Sequence, residues 1–234
     1  IGFKHAERLK KYKINRAYNF TILPDDWVRK QMSVVGLRLK KELEGESVLS
    51  LEESRSPKKA IATTRSFEKN LRSFEDLKER ISTFSILCSE KLRYQKSTCN
   101  SIYVFLKSNR HQKNKLQYRN GIVMTLPYAS GSSITISKYA VKGLKKIYRK
   151  DIEYKKAGVI VMGLVPYDKI QLNIFEKENP KYQILMKTLD FISKKEGPGK
   201  IKLASQDLKR IWKMKQTRLS SRYTTELDEI ISLK

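Results

Sequence analysis

The sequence predicts an α+β protein in three parts: a helical N-terminal segment, a ferredoxin-like β-α-β-β-α-β domain with a four-stranded sheet, and a small, mostly helical or irregular C-terminal tail. Three observations predict this class. Some stretches repeat apolar residues every three to four positions, strand-like apolar runs alternate with them, and a Ser/Glu-rich stretch without periodicity separates the first two parts. The expected parts are 1–50, a linker at 51–59, 60–165 and 166–234.

The first part is predicted to be helical. Pro24 followed by Asp25 and Asp26 is typical of a helix start, and Gly45 stands where a glycine commonly ends a helix. Between them, three-to-four spacing predicts one buried face, formed by Met32, Val35, Leu39 and Leu43.

The middle part alternates strands and helices. Strands are expected at 60–67, 101–107, 121–126 and 157–165, and helices at 74–95 and 136–151. The first of these helices has a continuous apolar face formed by Phe74, Leu77, Ile81, Phe84, Cys88 and Leu92. Cys88 is therefore interpreted as a core residue and not as a ligand. With both helices on one side, the sheet keeps its other face open.

The tail contains a short apolar peptide, 171–175, between a strand and a charged stretch that ends in Pro180. From the pattern alone it is either an exposed anchor for a partner or a short strand packed against the preceding sheet. Beyond it, a short amphipathic helix is expected at 183–193 and a helical or irregular stretch at 205–214.

Positive charge is concentrated in the middle of the chain. The formal net charge is +26, and residues 56–165 carry 23 basic and 7 acidic side chains, a net +16. Such a concentrated excess is typical of a surface that binds a polyanion. The strands and the basic connection between the second and third strands are expected to bring six cations onto one surface: Arg65, Lys107, Arg110, Lys113, Lys115 and Arg119.

Other classes are disfavoured by composition. No run of eighteen apolar residues occurs, so no membrane contact is expected. The first residues are charged and lack an apolar segment, so no secretory signal is expected either. Two cysteines and two histidines are too few for a disulfide framework or a Cys/His zinc site. The expected location is the cytoplasm.

Six short segments carry a family resemblance: 33–38, 43–47, 49–53, 65–67, 171–175 and 223–225. In this order and spacing they resemble the C-terminal half of the UmuC family, the catalytic subunits of DNA polymerase V among the Y-family translesion polymerases. The resemblance implies that 1–50 is the end of a thumb, with the later part of a helix-hairpin-helix. It implies that 60–165 is a little finger, which binds DNA, and that 166–234 is a UmuC-type tail.

The resemblance also implies sites and partners. The expected DNA-binding residues are Gly2, Lys4, Arg65, Ser66, Lys107, Arg110, Lys113, Lys115, Arg119, Lys155 and Lys156. The peptide 171–175 matches the sliding-clamp motif Gln-Leu-x-Leu-Phe with Ile in place of the second Leu, so the expected clamp-binding residues are Gln171, Leu172, Ile174 and Phe175. The implied partners are primer-template or damaged DNA and the β sliding clamp. A cleaved UmuD-type dimer and RecA are further candidates, without an assigned surface.

The family's catalytic carboxylates lie in the palm, upstream of every residue of this chain. No catalytic residue, metal site or cofactor is therefore expected here, and the parent polymerase is expected to use Mg²⁺. Two alternatives from other classes stay open. One is an RNA-binding or ribosome-associated basic protein, although the strands lack the aromatic-rich signature of an RNA-recognition sheet. The other is a non-catalytic module that recruits partners to the clamp.

Overall fold

The computed structural model describes residues 1–51, 56–112, 114–171, 178–197, 199–206 and 219–231. They belong to two compact units, Ile1–Ser56 and Pro57–Lys234. The division falls within the stretch 51–59, where the sequence predicts a linker. In the described part of the chain, no helix combines the length and the apolar character that crossing a membrane requires.

The first unit is helical, as the sequence predicts. Its helices are α1 (Phe3–Lys11), α2 (Ala17–Thr21) and α3 (Asp25–Leu43). A small apolar cluster holds them together, formed by Leu9, Phe20, Val28 and Met32. Gly45, just past α3, has φ +91, the left-handed conformation expected of a glycine after a helix.

The predicted face of α3 is partly wrong. Met32 is buried, but Val35 is 67% exposed and Leu43 46% exposed. The buried residues are instead Val28, Met32, Gly36 and Lys40. The departure from the predicted face begins at Ser33, whose φ of 64 and ψ of −173 are not helical and interrupt α3.

The second unit contains the four-stranded sheet. Its elements are β1 (Ile61–Leu71), α4 (Phe74–Tyr94), β2 (Ser97–Ser108), β3 (Arg119–Ser130), α5 (Ser133–Ile147), β4 (Tyr154–Pro166) and α6 (Pro180–Glu196), with short 3-10 turns at Tyr167–Lys169 and Leu227–Glu229. The sheet order is β1-β4-β2-β3, and all neighbouring strands are antiparallel. Each helical crossover skips one strand, and the predicted β-α-β-β-α-β order is confirmed.

Helix α4 supplies much of the core beneath the sheet. Five of its six predicted apolar residues are buried, namely Leu77, Ile81, Phe84, Cys88 and Leu92, and Phe74 packs at the margin. The Ser73 side chain caps the helix by accepting a hydrogen bond from the Asp76 N–H. The Cys88 thiol lies 3.2 Å from the Thr63 hydroxyl oxygen, inside the core, as expected. Both α4 and α5 pack against the strands on this face of the sheet, and no helix among the described residues covers the other face.

Helix α6 is longer than the predicted 183–193 and begins at Pro180 after the Asn179 cap. Its buried residue is Met186, whereas Leu185, expected on the apolar face, is 40% exposed. Most of the stretch predicted at 205–214 lies outside the described residues.

Candidate nucleic-acid interface

Three cations lie side by side across the open face of the sheet. In the strand register Lys107 is opposite both Lys156 and Arg119, and Ser66 of β1 is opposite Lys156. Successive side chains of a strand point to opposite faces of the sheet. Val104 is fully buried against the helices, so Lys107, Arg119 and Lys156 point to the opposite face, away from the helices. We call Lys107, Arg119 and Lys156 the cationic row.

The cationic row has a cost for the fold. Neighbouring strands lie about 4.8 Å apart, so the row spans roughly 10 Å. Like charges directly opposite each other destabilise a strand pair. A polyanion that binds across the row removes this repulsion, because its phosphates neutralise the cations and release their counterions.

Beside the row, two aromatic rings and two glycines form the floor of the open face. Phe105 is opposite Gly158 on β4 and Gly121 on β3. A Cβ at Gly158 would lie 2.5 Å from Phe105 Cε1, and one at Gly121 would collide with the Tyr103 hydroxyl. The rings therefore lie over the glycines, stacked with centroids 5.9 Å apart. Lys107 Nζ is 4.9 Å from the Phe105 centroid, so the ring supports one cation of the row.

The side-chain amide of Gln117 makes three hydrogen bonds within the connection between β2 and β3. Gln117 Nε2 donates to the carbonyl oxygens of Asn109 (3.2 Å), Gln112 (2.9 Å) and Lys115 (3.2 Å). These bonds hold the connection together beyond the end of the sheet and leave Arg110 exposed. Arg110 is thus an exposed cation in the connection that follows the strand of Lys107.

Glu153, the residue before β4, lies among cations. Its carboxylate accepts hydrogen bonds from Lys115 Nζ (2.7 Å), Asn70 Nδ2 (2.8 Å) and Arg72 Nη2. The bond from Lys115, followed by those from Asn70 and Arg72, lowers the pKa of Glu153 from 4.5 to about 2. Lys115, predicted to bind DNA, is therefore paired within the protein.

Two of the predicted DNA-binding cations on the strands do not belong to the cationic row. Arg65 has the parity of Ile61 and Phe67, which are buried under the helices, so the expected single surface shared by Arg65 and Lys107 is wrong. Lys155 is the extra residue of a β-bulge, because Lys156 and Tyr154 oppose consecutive residues of β2. Its amino group donates to the Glu68 carbonyl at 3.0 Å.

The remaining predicted residues are elsewhere. In the first unit, Gly2 immediately precedes α1 and Lys4 lies in its first turn, and both are exposed. In the second unit, Gln171 is exposed at the start of the predicted clamp peptide. Four predicted residues lie outside the described part of the chain: Lys113, Leu172, Ile174 and Phe175.

Four residues described above are absent from the predicted site: Phe105, Asn70, Arg72 and Glu153. A signal for Phe105 was present, since Tyr103, Phe105 and Lys107 follow one another with period two. For Glu153 the only signal was an acid in a strongly basic segment. Its partners Asn70 and Lys115 are 83 and 38 positions away, beyond the reach of local patterns.

Among the described residues, no group of three or more His, Cys, Asp or Glu side chains is arranged to hold a metal ion. What the arrangement offers is a cationic row on a smooth open face, with Arg110 and the Glu153 cluster at one end.

Comparison with known families finds matches along most of the second unit. Residues 58–174 match the C-terminal domain of the impB/mucB/samB family. Residues 183–233 match a domain of unknown function, DUF4113. The first match contains the whole sheet with the cationic row, and the second begins within α6.

Among curated proteins, the chain is similar to UmuC, ImpB and MucB proteins from two bacterial species. It is 31% identical to protein UmuC of Salmonella typhimurium strain LT2 over 236 aligned residues, covering 100% of this chain and 56% of that protein. It is 30% identical to protein ImpB of Salmonella typhimurium, covering 98% and 54%. It is 32% identical to protein MucB of Escherichia coli, covering 97% and 54%. The chain thus spans just over half the length of these relatives.

Proposed function

The chain belongs to the impB/mucB/samB family, since the C-terminal domain of that family matches its residues 58–174, and from this membership we propose a function in lesion bypass. The chain is the DNA-binding and sliding-clamp-docking part of an error-prone translesion DNA polymerase of the Y family, active in SOS mutagenesis and DNA repair. Primer-template or damaged DNA and the β sliding clamp are its partners.

The cationic row is the observation that carries this proposal. Lys107, Arg119 and Lys156 point the same way on a sheet face that no described helix of the unit covers. Phosphate contacts from such side chains supply affinity without reading the base sequence, which suits a protein that must follow DNA of any sequence. Arg110, at the end of the same face, extends the contact along the backbone.

The clamp contact rests on the peptide 171–175 and on its resemblance to the clamp motif. Gln171 is exposed and available to hydrogen-bond at a pocket rim. The change of the second Leu to Ile174 keeps the side-chain volume and costs less than about 1.5 kcal/mol of binding free energy. A cleaved UmuD-type dimer and RecA stay candidate partners.

In this proposal catalysis resides in the half of the family's proteins that this chain does not span. Two-metal phosphoryl transfer needs carboxylates that hold two Mg²⁺ ions about 3.5 to 4 Å apart. The chain contributes binding, and its location in the cell is the cytoplasm, where the DNA lies.

The DNA contact is tested with the full chain and a labelled primer-template duplex, by fluorescence anisotropy between 50 and 200 mM salt. The variant Lys107→Ala/Arg119→Ala/Lys156→Ala is expected to bind more weakly, and the slope of log affinity against log salt should become shallower by up to about 2.7, since each phosphate contact contributes about 0.9. The matched control is Lys138→Ala/Lys145→Ala/Lys146→Ala, which removes the same charge from the exposed side of α5.

Three outcomes decide the DNA proposal. Equal losses in both triple variants would show a general charge effect, and a salt-independent affinity of the unchanged chain would exclude phosphate contacts. Equal affinity for duplex RNA and for primer-template DNA would favour the RNA-binding alternative.

The clamp contact is tested separately with purified β clamp. Replacing Gln171, Leu172 and Phe175 by alanine should abolish clamp binding and leave DNA affinity unchanged. The exposed Lys181→Ala variant of α6 is the control. Unchanged clamp binding in the triple variant would contradict this part of the proposal.

A further inference from the structure

The carboxylate of Glu153 collects donors from three separate parts of the second unit. Asn70 lies at the end of β1, Arg72 in the turn before α4, and Lys115 in the connection between β2 and β3. All three donate to Glu153, and Asn70 Nδ2 also lies 3.2 Å from the Gln112 side-chain oxygen. Glu153 thus joins the connection to the rest of the unit, together with the hydrogen bond from Asn70 to Gln112.

The donors are of the kind that binds phosphate. An arginine, a lysine and an asparagine amide commonly contact the oxygens of a nucleic-acid backbone. The side chains of Arg72 and Lys115 are 69% and 46% exposed, whereas that of Glu153 is only 17% exposed. The two cations can therefore reach a ligand in solvent while the carboxylate stays behind them.

The cluster has space beside it. A cavity of about 230 Å³ opens next to the carboxylate, lined among others by Arg72, Gln112, Lys115, Gln117 and Glu153. Its lining includes both cations, three amide side chains and, besides Glu153, the acid Asp151. The two cations are donors that a phosphate oxygen can use.

The cluster is also continuous with the cationic row. Lys156 pairs with Lys107, and the next rung of the sheet pairs Tyr154 with Ser108. Glu153 follows directly beyond that rung. A backbone that crosses the row and continues past this end of the sheet arrives at Arg72 and Lys115.

We propose that Asn70, Arg72 and Lys115 form a phosphate-binding site that Glu153 occupies in the free protein. On binding, a backbone phosphate of the nucleic acid replaces the Glu153 carboxylate as the acceptor. Glu153 thereby lowers the affinity for nucleic acid and holds the connection in place while the site is empty of ligand. This inference rests on the proposed binding of DNA.

The test compares Glu153→Gln with Asp151→Asn in the full chain. Both variants remove one negative charge at the same end of the sheet, but Asp151 is exposed, lines the same cavity and has a φ of 70 that asparagine tolerates well. In the anisotropy assay, Glu153→Gln should bind the duplex about threefold or more tightly at 0.1 M salt. Its slope of log affinity against log salt should steepen by about 0.9 to 1.8, since Arg72 and Lys115, once free of Glu153, can each add one phosphate contact of about 0.9. Asp151→Asn should change the slope by less than about 0.5.

A second variant keeps the acid and removes the cations. Arg72→Ala/Lys115→Ala should bind DNA more weakly than the unchanged chain, with a shallower slope of log affinity against log salt. This variant tests the site even if Glu153→Gln does not fold. Equal effects of Glu153→Gln and Asp151→Asn would overturn the proposal, as would unchanged or weaker binding by a folded Glu153→Gln protein. Unchanged affinity of Arg72→Ala/Lys115→Ala would also overturn it.

Inorganic phosphate tests the site without DNA. At constant ionic strength, replacing chloride by phosphate should raise the thermal midpoint of Glu153→Gln more than that of Asp151→Asn. If the unchanged chain shows no salt-dependent DNA binding, the proposed function fails, and this assay still decides the site. Equal midpoints in phosphate and chloride would overturn the site alone.

Discussion

Arg93 and Asp190 form a two-bond ion pair that ties α6 to the helical layer beneath the sheet. Arg93 Nε donates to Asp190 Oδ2 at 2.7 Å and Nη2 donates to Oδ1 at 2.6 Å. The other terminal nitrogen, Nη1, donates to the Gly131 carbonyl and to the Ser133 hydroxyl at the start of α5. The side chain of Arg93 is 9% exposed, so its charge depends on these acceptors.

Asp190→Asn should loosen α6. The substitution leaves a nearly buried guanidinium with a neutral partner, and we expect it to lower the free energy of unfolding by about 1 to 3 kcal/mol. Urea titration measures the loss, and hydrogen exchange should show faster exchange in α6 than in the sheet. The control is Glu75→Gln, which removes the exposed pair with Lys78 and should cost less than about 0.5 kcal/mol. Equal losses in the two variants would contradict a special role for Arg93.

Gly158→Ala should disturb the floor of the open face. The new Cβ would lie 2.5 Å from both Phe105 Cε1 and Thr64 Cγ2, and such overpacking costs about 1 to 3 kcal/mol. Thermal unfolding measures the effect. Adding Phe105→Leu removes the colliding ring atoms, so the double variant should lose less stability than the sum of the single variants. Strict additivity would show that the ring is not what excludes a side chain at this position.

Helix α4 and Arg65 show how far a local pattern predicts this fold. The spacing of Leu77, Ile81, Phe84 and Cys88 was sufficient because α4 is continuous and buries one face. The position of Arg65 was also contained in the sequence, since Ile61 and Phe67 share its parity. The positive φ of Ser33 in α3 left no such signal, and of the face predicted beyond it Leu39 packs against the apolar cluster whereas Val35 and Leu43 are exposed.

The site depended more on long-range pairing than on local pattern. The sheet order makes β2 and β4 the central strands. Lys107 of β2 is therefore opposite both Lys156 and Arg119. The chain order β-α-β-β-α-β alone does not determine which strands are central. The bonds of Glu153 to Asn70, Arg72 and Lys115 likewise exist only once β1, β4 and the connection are brought together.

Glu178 should make the protein less stable as the pH rises. Burial raises the pKa of its carboxyl group above 4.5, against a smaller opposing effect of the hydrogen bond from the Ser130 hydroxyl. The folded state therefore binds the proton more tightly than the unfolded state, and stability is lost as the pH rises from 4.5 through the folded pKa.

Glu178→Gln removes this loss and leaves an acceptor for Ser130. Its thermal midpoint relative to that of the unchanged chain should rise as the pH rises above 4.5, because only the unchanged chain must then bury a charged carboxylate. Glu196→Gln, at the exposed end of α6, is the control and should show no such trend. A difference that stays constant with pH would rule out burial of the charged carboxylate as the cause.

Glu153 should have the opposite pH dependence. Its pKa falls from 4.5 to about 2 because Lys115, Asn70 and Arg72 bind the charged form, so its stabilising effect is complete above pH 4.5 and disappears as the pH falls towards 2. Glu153→Gln has no ionised carboxylate at this position, so it has no such stabilisation to lose. Its thermal midpoint should therefore fall less steeply over this pH range than that of the unchanged chain. If the thermal midpoints of the two proteins fell in parallel as the pH is lowered, the three hydrogen bonds would not stabilise the folded state.

Glu75→Gln provides the comparison, because the exposed ion pair of Glu75 with Lys78 is a single bond that water and salt screen. Below pH 4.5 the thermal midpoint of Glu75→Gln should fall as steeply as that of the unchanged chain. The comparison therefore separates the effect of a carboxylate with three donors from that of a carboxylate paired with one cation at the surface.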